Sequence, residues 1–188
     1  MRCSIAALCI AAAFAAAGAP TDAQLLAALR GGGYTLYFRH AATDLAQQDA
    51  QGEDFANCAR QRNLSDAGRR EARAAGEAIR ALALPIGEVV SSPYCRASET
   101  ASLLFGLAKR SRAVLVRAGP DGKPDYGELL DIVALPPAPN TLRVIVAHNA
   151  PRIAYLQEGE VAIIRPLGKG FEVVAQFPLS DWRRLAGK

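Results

Sequence analysis

Apolar and polar positions alternate along the 188-residue chain with two different periods, and the order of those periods sets the fold class. "YTLYF" (34–38), rich in aromatic and β-branched residues and preceded by "GGG" (31–33), predicts a buried strand. Residues 44–63 are polar and aperiodic, a long loop. From Ser65, an N-cap residue followed by Asp66, the apolar positions Ala72, Ala75, Ile79 and Leu82 recur at helical spacing. Arg69, Arg70, Arg73, Glu77 and Arg80 face away, and the helix ends before Pro85. "GEVVSS" (87–92) predicts a second strand, and "CRASETASLLFGLA" (95–108) a second helix with Ala97, Ala101, Leu104, Phe105 and Ala108 on one face. "AVLVR" (113–117) reads as a third strand and "TLRVIVAH" (141–148) as a fourth. "EVAIIRP" and "FEVVAQF", joined by "LGKG", predict a β-hairpin, with "LSDWRRLAG" as a closing helix. Short apolar runs spaced by amphipathic helices imply a largely parallel sheet with helices on both faces: a three-layer α/β/α sandwich with the C-terminal hairpin at the sheet edge.

The first residues change how the rest is read. "MRCSIAALCIAAAFAAAGAPTDA" (1–23) carries one positive charge, then an Ala-rich apolar stretch too short for a comfortable membrane span, then small residues at Ala17 and Ala19. This is the pattern of a cleaved secretory signal, with cleavage after Ala19 or Ala23, leaving one domain over residues 24–188 and no stable membrane anchor. The expected location is therefore secreted, periplasmic or extracellular. Cys3 and Cys9 leave with the signal, whereas Cys58 and Cys95 remain as an even pair in an oxidising compartment, so a single disulfide is expected. No C-x-x-C pattern suggests redox or zinc chemistry.

Composition confirms a folded domain, since 51% apolar and 21% charged residues exclude a disordered chain. Loss of residues 1–19 removes Arg2 alone and leaves 21 basic against 18 acidic side chains, a net charge of +3. The basic residues are scattered and not interleaved with aromatics, which argues against nucleic acid as a partner and suits an anionic small ligand. Nothing in the sequence sets the oligomeric state.

Candidate chemistry lies at the strand ends, where ligands bind in open α/β sheets. The chain has two histidines, and each ends a predicted strand: His40 the first, His148 the fourth. Arg39 precedes His40, and Arg96 falls in the first turn of the helix after the second strand, where backbone N–H groups and the helix dipole also favour an anion. Two strand-end histidines with two strand-end arginines describe a phosphate site. Neighbours in an extended strand point to opposite faces, so Arg39 and His40 can share one ligand only if the chain turns immediately after Phe38.

Four local patterns now make the chain resemble the histidine phosphatase superfamily, which also includes the cofactor-dependent phosphoglycerate mutases. "RHAAT" (39–43) is similar to the family's R-H-G-x-T, and "LSDAGRREA" (64–72) to L-[ST]-x-x-G-x-x-Q-A. "SPYCRASETA" (92–101) is similar to S-x-x-x-R-A-x-x-T-A, and "VAHN" (146–149) to V-x-H-G. The match spans roughly residues 34–150. The chain departs from the family at Ala41 and Asn149, where glycine is usual, and at Glu71, where glutamine is. A turn with positive φ at residue 41 would strain alanine by on the order of 1 kcal/mol.

The resemblance implies a phosphoglycerate mutase-like fold and a metal-independent, cofactor-free phosphomonoesterase of the histidine acid type acting on a small phosphorylated substrate. His40 would attack phosphorus to give a phosphohistidine, while Arg39, Arg96 and His148 hold the phosphoryl oxygens. The family's proton donor, usually a glutamate after the third strand, corresponds best to Glu128, with Asp121, Asp125 and Asp44 as alternatives. Residues 44–63 are expected to cover the pocket. A competing reading keeps the same fold as a phosphate-binding or regulatory module without turnover. A mutase is disfavoured, because its glycolytic substrate is cytosolic and the chain is short for that branch.

Overall fold

A computed structural model describes residues 20–52, 54–148 and 151–188. Most of the expected signal sequence therefore lies outside the described residues, as does Asn149.

In chain order the helices are α1 (Asp22–Arg30), α2 (Asp66–Ala81), α3 (Cys95–Phe105), α4 (Leu129–Ala134) and α5 (Asp181–Leu185). The strands are β1 (Thr35–Arg39), β2 (Ile86–Ser91), β3 (Lys109–Arg110), β4 (Arg117–Ala118), β5 (Pro124–Asp125), β6 (Leu142–Ala147), β7 (Glu160–Pro166) and β8 (Phe171–Pro178). Six strands form one sheet in the order β3-β2-β6-β1-β7-β8. The β3, β2, β6 and β1 strands run parallel, while β7 and β8 form the expected antiparallel hairpin at the edge.

Alternation along the central strands separates two cores. Leu36 and Phe38 of β1, Val144 and Val146 of β6 and Val161 and Ile163 of β7 pack on one face with α1, α2, α3 and α5. Tyr37, Ile145, Ala147, Ala162 and Ile164 point to the other. That second layer is thinner than the pattern implied, with α4 and connecting segments covering it, through Leu129, Val133, Val114, Tyr126 and Ile153. Arg143 holds α4 in place, its guanidinium donating to the carbonyls of Ile132 and Leu135 at 2.8 Å each. Two glycines permit close packing of α2: a Cβ at Gly76 would stand 2.4 Å from the Leu103 carbonyl oxygen, and one at Gly68 only 2.1 Å from that of Ala42.

Three elements differ from expectation. Residues 113–117 are not a strand of the sheet: 112–114 form a 3-10 turn, and Arg117–Ala118 pairs with Pro124–Asp125 in a separate hairpin. An apolar run buried among other segments has no period that distinguishes it from a strand. The sheet edge instead comes from Lys109 and Arg110, whose exposed charges suit an edge. The α3 helix stops at Phe105, before the expected Ala108, because Gly106 leaves the helical region at φ 88°. And α1 begins inside the stretch read as signal, with Thr21 as its N-cap: the Gln24 amide donates to Thr21 Oγ1 while Gln24 Oε1 accepts from the Thr21 amide. Among the described residues no helix is long and apolar enough to cross a membrane.

The polar stretch 44–63 is closed at its base by a Thr43–Leu64 bridge and fastened to α3 by a Cys58–Cys95 disulfide, with Cα atoms 5.7 Å apart. Gln61 adds a second attachment, its Oε1 accepting from the Cys95 amide at 2.8 Å. It thus caps a helix whose own N-cap residue, Tyr94, makes no side-chain cap bond. Loop closure of this length stabilises by roughly 3–4 kcal/mol in the chain-entropy model. Replacing Cys58 and Cys95 together by serine is expected to lower the unfolding free energy in urea by that amount. Two free thiols by alkylation and mass measurement on protein produced under oxidising conditions would contradict the pairing.

Candidate active site

Parallel register brings three strand ends level: Arg39 lies opposite Ala147, and Ser91 opposite Val146. The residues that follow, His40, His148 and Ser92, therefore emerge side by side, with α3 carrying Arg96 to the same place. The chain leaves β1 after Arg39, one residue later than expected, and the His40 amide still donates to the Ala147 carbonyl. Strand and exit together let Arg39 and His40 serve one site.

Ala41 is buried and does not adopt positive φ, so the strain expected for replacing glycine is absent. Its amide donates to Thr100 Oγ1 at 3.0 Å, and Thr100 Oγ1 donates to the Arg96 carbonyl at 2.7 Å. One hydroxyl thus couples the His40 turn to the Arg96 turn, which accounts for threonine in the third motif. Gly68 serves the second motif by admitting Ala42 against α2. Arg69 ties α2 to α3 through a two-point pair with Glu99, at 2.7 and 3.2 Å. Glu71, where glutamine is usual, is half-buried, and burial raises its pKa.

The His40 ring is 2% exposed, and its Nδ1–H donates to the Ala41 carbonyl at 2.9 Å. That bond fixes the tautomer and leaves Nε2 with its lone pair. Arg96 donates from a terminal nitrogen to His148 Nε2 at 3.1 Å. A guanidinium has only donors, so His148 Nε2 accepts and its proton sits on Nδ1, facing Ser92 Oγ at 3.5 Å. The two rings stand 6.3 Å apart and perpendicular. Burial, together with Arg96 and Arg39, lowers the His40 pKa to about 4, against a smaller upward pull from the Ala41 carbonyl and Glu158. Burial, Arg96 and His40 lower that of His148 to about 3. Both imidazoles are neutral near pH 7.

Arg39 donates to the Leu156 carbonyl at 2.9 Å and lies 3.8 Å from Glu158. Arg96, 4% exposed, pairs with Asp49 at 2.8 Å, reaches the Arg62 carbonyl at 3.3 Å and lies under the Tyr94 ring at 4.4 Å. The structure also adds residues that the sequence did not single out. Arg62 pairs with Glu158 at 3.2 Å, and Glu158 accepts from the amide and hydroxyl of Thr43. Burial pushes the Glu158 carboxyl up, but Thr43, His40 and Arg62 outweigh it and hold it below the usual range. The Nε atoms of Arg39, Arg62 and Arg96 are all buried without a partner. Unsatisfied donors of this kind, on Arg39 and Arg96 whose charges act on His40, are what an oxyanion would satisfy. Glu158 and Arg62 could not be read from spacing, because Glu158 precedes β7 and meets Thr43 across 115 residues.

Glu128 is placed differently from the histidines and arginines. It is exposed at the start of α4, lining a cleft of about 190 Å³ with Arg112, Arg117 and Asp125. Among the described residues no hydrogen bond or ion pair joins it to His40, His148, Arg39 or Arg96. Asp44 turns onto its own loop, accepting from Ala46 and Gln47, and Asp121 pairs with Lys123.

The fold and the site define an α/β protein of phosphoglycerate mutase-like architecture with paired histidines and arginines at its strand ends. Residues 36–115, which hold the first three of the four motifs, match the sequence model of the histidine phosphatase superfamily (branch 1), in line with the resemblance. Among solved structures, the SixA protein of Nakamurella multipartitia is similar with a TM-score of 0.52 and 22% identity, over 78% of this chain and 96% of that one. The protein histidine phosphatase SixA complexed with tungstate gives a TM-score of 0.54 and 18% identity, over 79% and 98%. Among curated proteins no sequence matches.

The histidine pKa values predict a pH dependence of stability. The unfolded chain titrates its histidines near 6.5, above both folded values, so it binds more protons throughout the interval. Stability from the neutral rings is complete above about pH 6.5 and is lost as pH falls towards about 4. For His40 the loss is on the order of 3 kcal/mol. His40→Asn should shrink the fall in urea midpoint between pH 7 and 4, whereas an unchanged fall would place the His40 pKa near its ordinary value.

Proposed function

We propose that the protein is an exported phosphomonoesterase working through a phosphohistidine at His40. The observation that carries the reading is a buried, neutral imidazole with a bare Nε2, set among guanidinium groups whose Nε donors are unsatisfied. The superfamily match and the fold shared with a tungstate-binding phosphatase support it. His40 Nε2 attacks phosphorus in line, the P–O bond to the leaving group breaks, and water then cleaves the P–N bond to release phosphate. Arg39 and Arg96 stabilise the equatorial oxygens, and His148 becomes available to them once Arg96 turns to the substrate.

Export rests on the N-terminal pattern and agrees with a disulfide that persists in an oxidising compartment. Cleavage after Ala19 fits best, since cleavage after Ala23 would remove Thr21 and with it the N-terminal cap of α1.

His40→Ala should abolish phosphoenzyme while tungstate still binds, and His148→Ala should lower turnover by about 10²–10³-fold. Acid-labile, base-stable label from a radioactive phosphomonoester should map to the peptide containing "FRHAATD". Full activity in His40→Ala would overturn the mechanism, and oxyanion binding with neither label nor turnover would favour the binding-module reading.

The leaving alkoxide needs a proton. Glu158 is the carboxylate beside His40, but a group held ionised by Thr43 and two arginines is a poor acid. The donor role stays with Glu128 on the family resemblance alone. Glu128→Gln should therefore depress turnover of an alkyl phosphate far more than of p-nitrophenyl phosphate, whose leaving group needs little protonation. Glu158→Gln should depress both alike. Equal losses in Glu128→Gln would move the role to Asp125 in the same cleft.

A further inference from the structure

Both terminal nitrogens of Arg96 are already engaged. One nitrogen donates to His148 Nε2, and the other to Asp49 Oδ1 at 2.8 Å and to the Arg62 carbonyl. The same Asp49 oxygen also accepts from the Arg62 amide at 3.0 Å. A carboxylate oxygen bound by a guanidinium and a backbone amide is the environment a phosphoryl oxygen would take. His40 and Arg96 are 2% and 4% exposed, so substrate cannot reach them past the loop as it stands.

We infer that Asp49 is a resident competitor for the phosphoryl site, and that a phosphoryl dianion binds by displacing its carboxylate from Arg96. This deepens the phosphatase reading and rests on its phosphate site. The charges of the cluster agree. Arg39, Arg62 and Arg96 face Glu158 and Asp49, with both histidines neutral. Exchange of Asp49 for a dianion leaves three cations against Glu158 and the ligand, a neutral assembly. A monoanion such as a phosphodiester would leave the same one uncompensated cation that Asp49 leaves, and so gains nothing in charge balance from the exchange. Asp49 therefore sets a threshold: only a ligand that outbids a carboxylate on Arg96 enters, and that favours monoesters over diesters.

The Arg96–Asp49 pair has one buried and one partly exposed member, and its removal should free binding energy of the size measured for such pairs. Calorimetric titration of the mature protein with sodium tungstate and with orthophosphate should show affinity rising about fivefold in Asp49→Ala and Asp49→Asn, and staying near wild type in Asp49→Glu. The KM for p-nitrophenyl phosphate should fall with the dissociation constant. Weaker or unchanged oxyanion binding in Asp49→Ala, with kcat lowered and Asp49→Glu restoring it, would overturn the inference and make Asp49 a residue that positions Arg96. If neither wild type nor Asp49→Ala binds an oxyanion, the phosphate site itself falls. Tighter binding in Asp49→Ala without turnover would support Asp49 as competitor while removing the phosphatase reading.

Discussion

Three guanidinium groups clustered with two carboxylates and two buried imidazoles are the constraint on which the rest of the structure depends. Taking a cation out of water costs several kcal/mol unless it is paired and hydrogen-bonded. Each arginine here is held by different means: Arg39 by the Leu156 carbonyl and Glu158, Arg62 by Glu158, and Arg96 by Asp49, the Arg62 carbonyl and His148. Glu158 is the shared counterion of two of them, and Thr43 fixes it with amide and hydroxyl. Burial, reinforced by Arg96 and Arg39, keeps both histidines neutral, because a proton on either would add a further buried cation. The enclosure that leaves the arginine donors unsatisfied therefore also leaves His40 unprotonated.

Such a cluster forms only if distant segments arrive at the same level. Parallel pairing of β1 and β2 with β6 does most of this, since its register leaves His40, Ser92 and His148 adjacent. Thr100 then links the first and third turns, and Gly68 lets the chain after His40 pass against α2 where a methyl group would collide with Ala42. Neither Thr100 nor Gly68 belongs to the histidine–arginine cluster itself. They fix the angle at which its side chains leave the sheet, and so appear in the motifs beside them.

Much of this was legible in the sequence, and the limits have a physical pattern. The central strands, α2, the edge hairpin and the strand-end histidines carry local signals: a period, a cap, a chain reversal. The disulfide followed from compartment and parity. The 113–117 run failed as a strand because burial without period is ambiguous, and α1 went unread because its cap lies within residues taken as signal. Arg62, Glu158 and Asp49 were unreadable for a different reason. Nothing in a polar, aperiodic loop says which of its charges will meet a partner far along the chain, and their importance arises from those partners alone.

The loop is also unevenly anchored. Its second half is fastened to the body by the Cys58–Cys95 disulfide, by Gln61 on the Cys95 amide and by Arg62 on Glu158. Residues 44–52 instead bond largely to that second half: Asp44 to the Asn63 carbonyl, Gln47 to the Asn63 amide, Ala50 to the Arg60 carbonyl. Asp49 on Arg96 is their side-chain link to α3. Losing that link leaves the cap on α3 and the counterion of Arg39 and Arg62 in place. The architecture therefore allows one carboxylate to move aside at the cost of one ion pair and of its hydrogen bond from the Arg62 amide, while the groups that orient the arginines stay where the sheet and the disulfide put them.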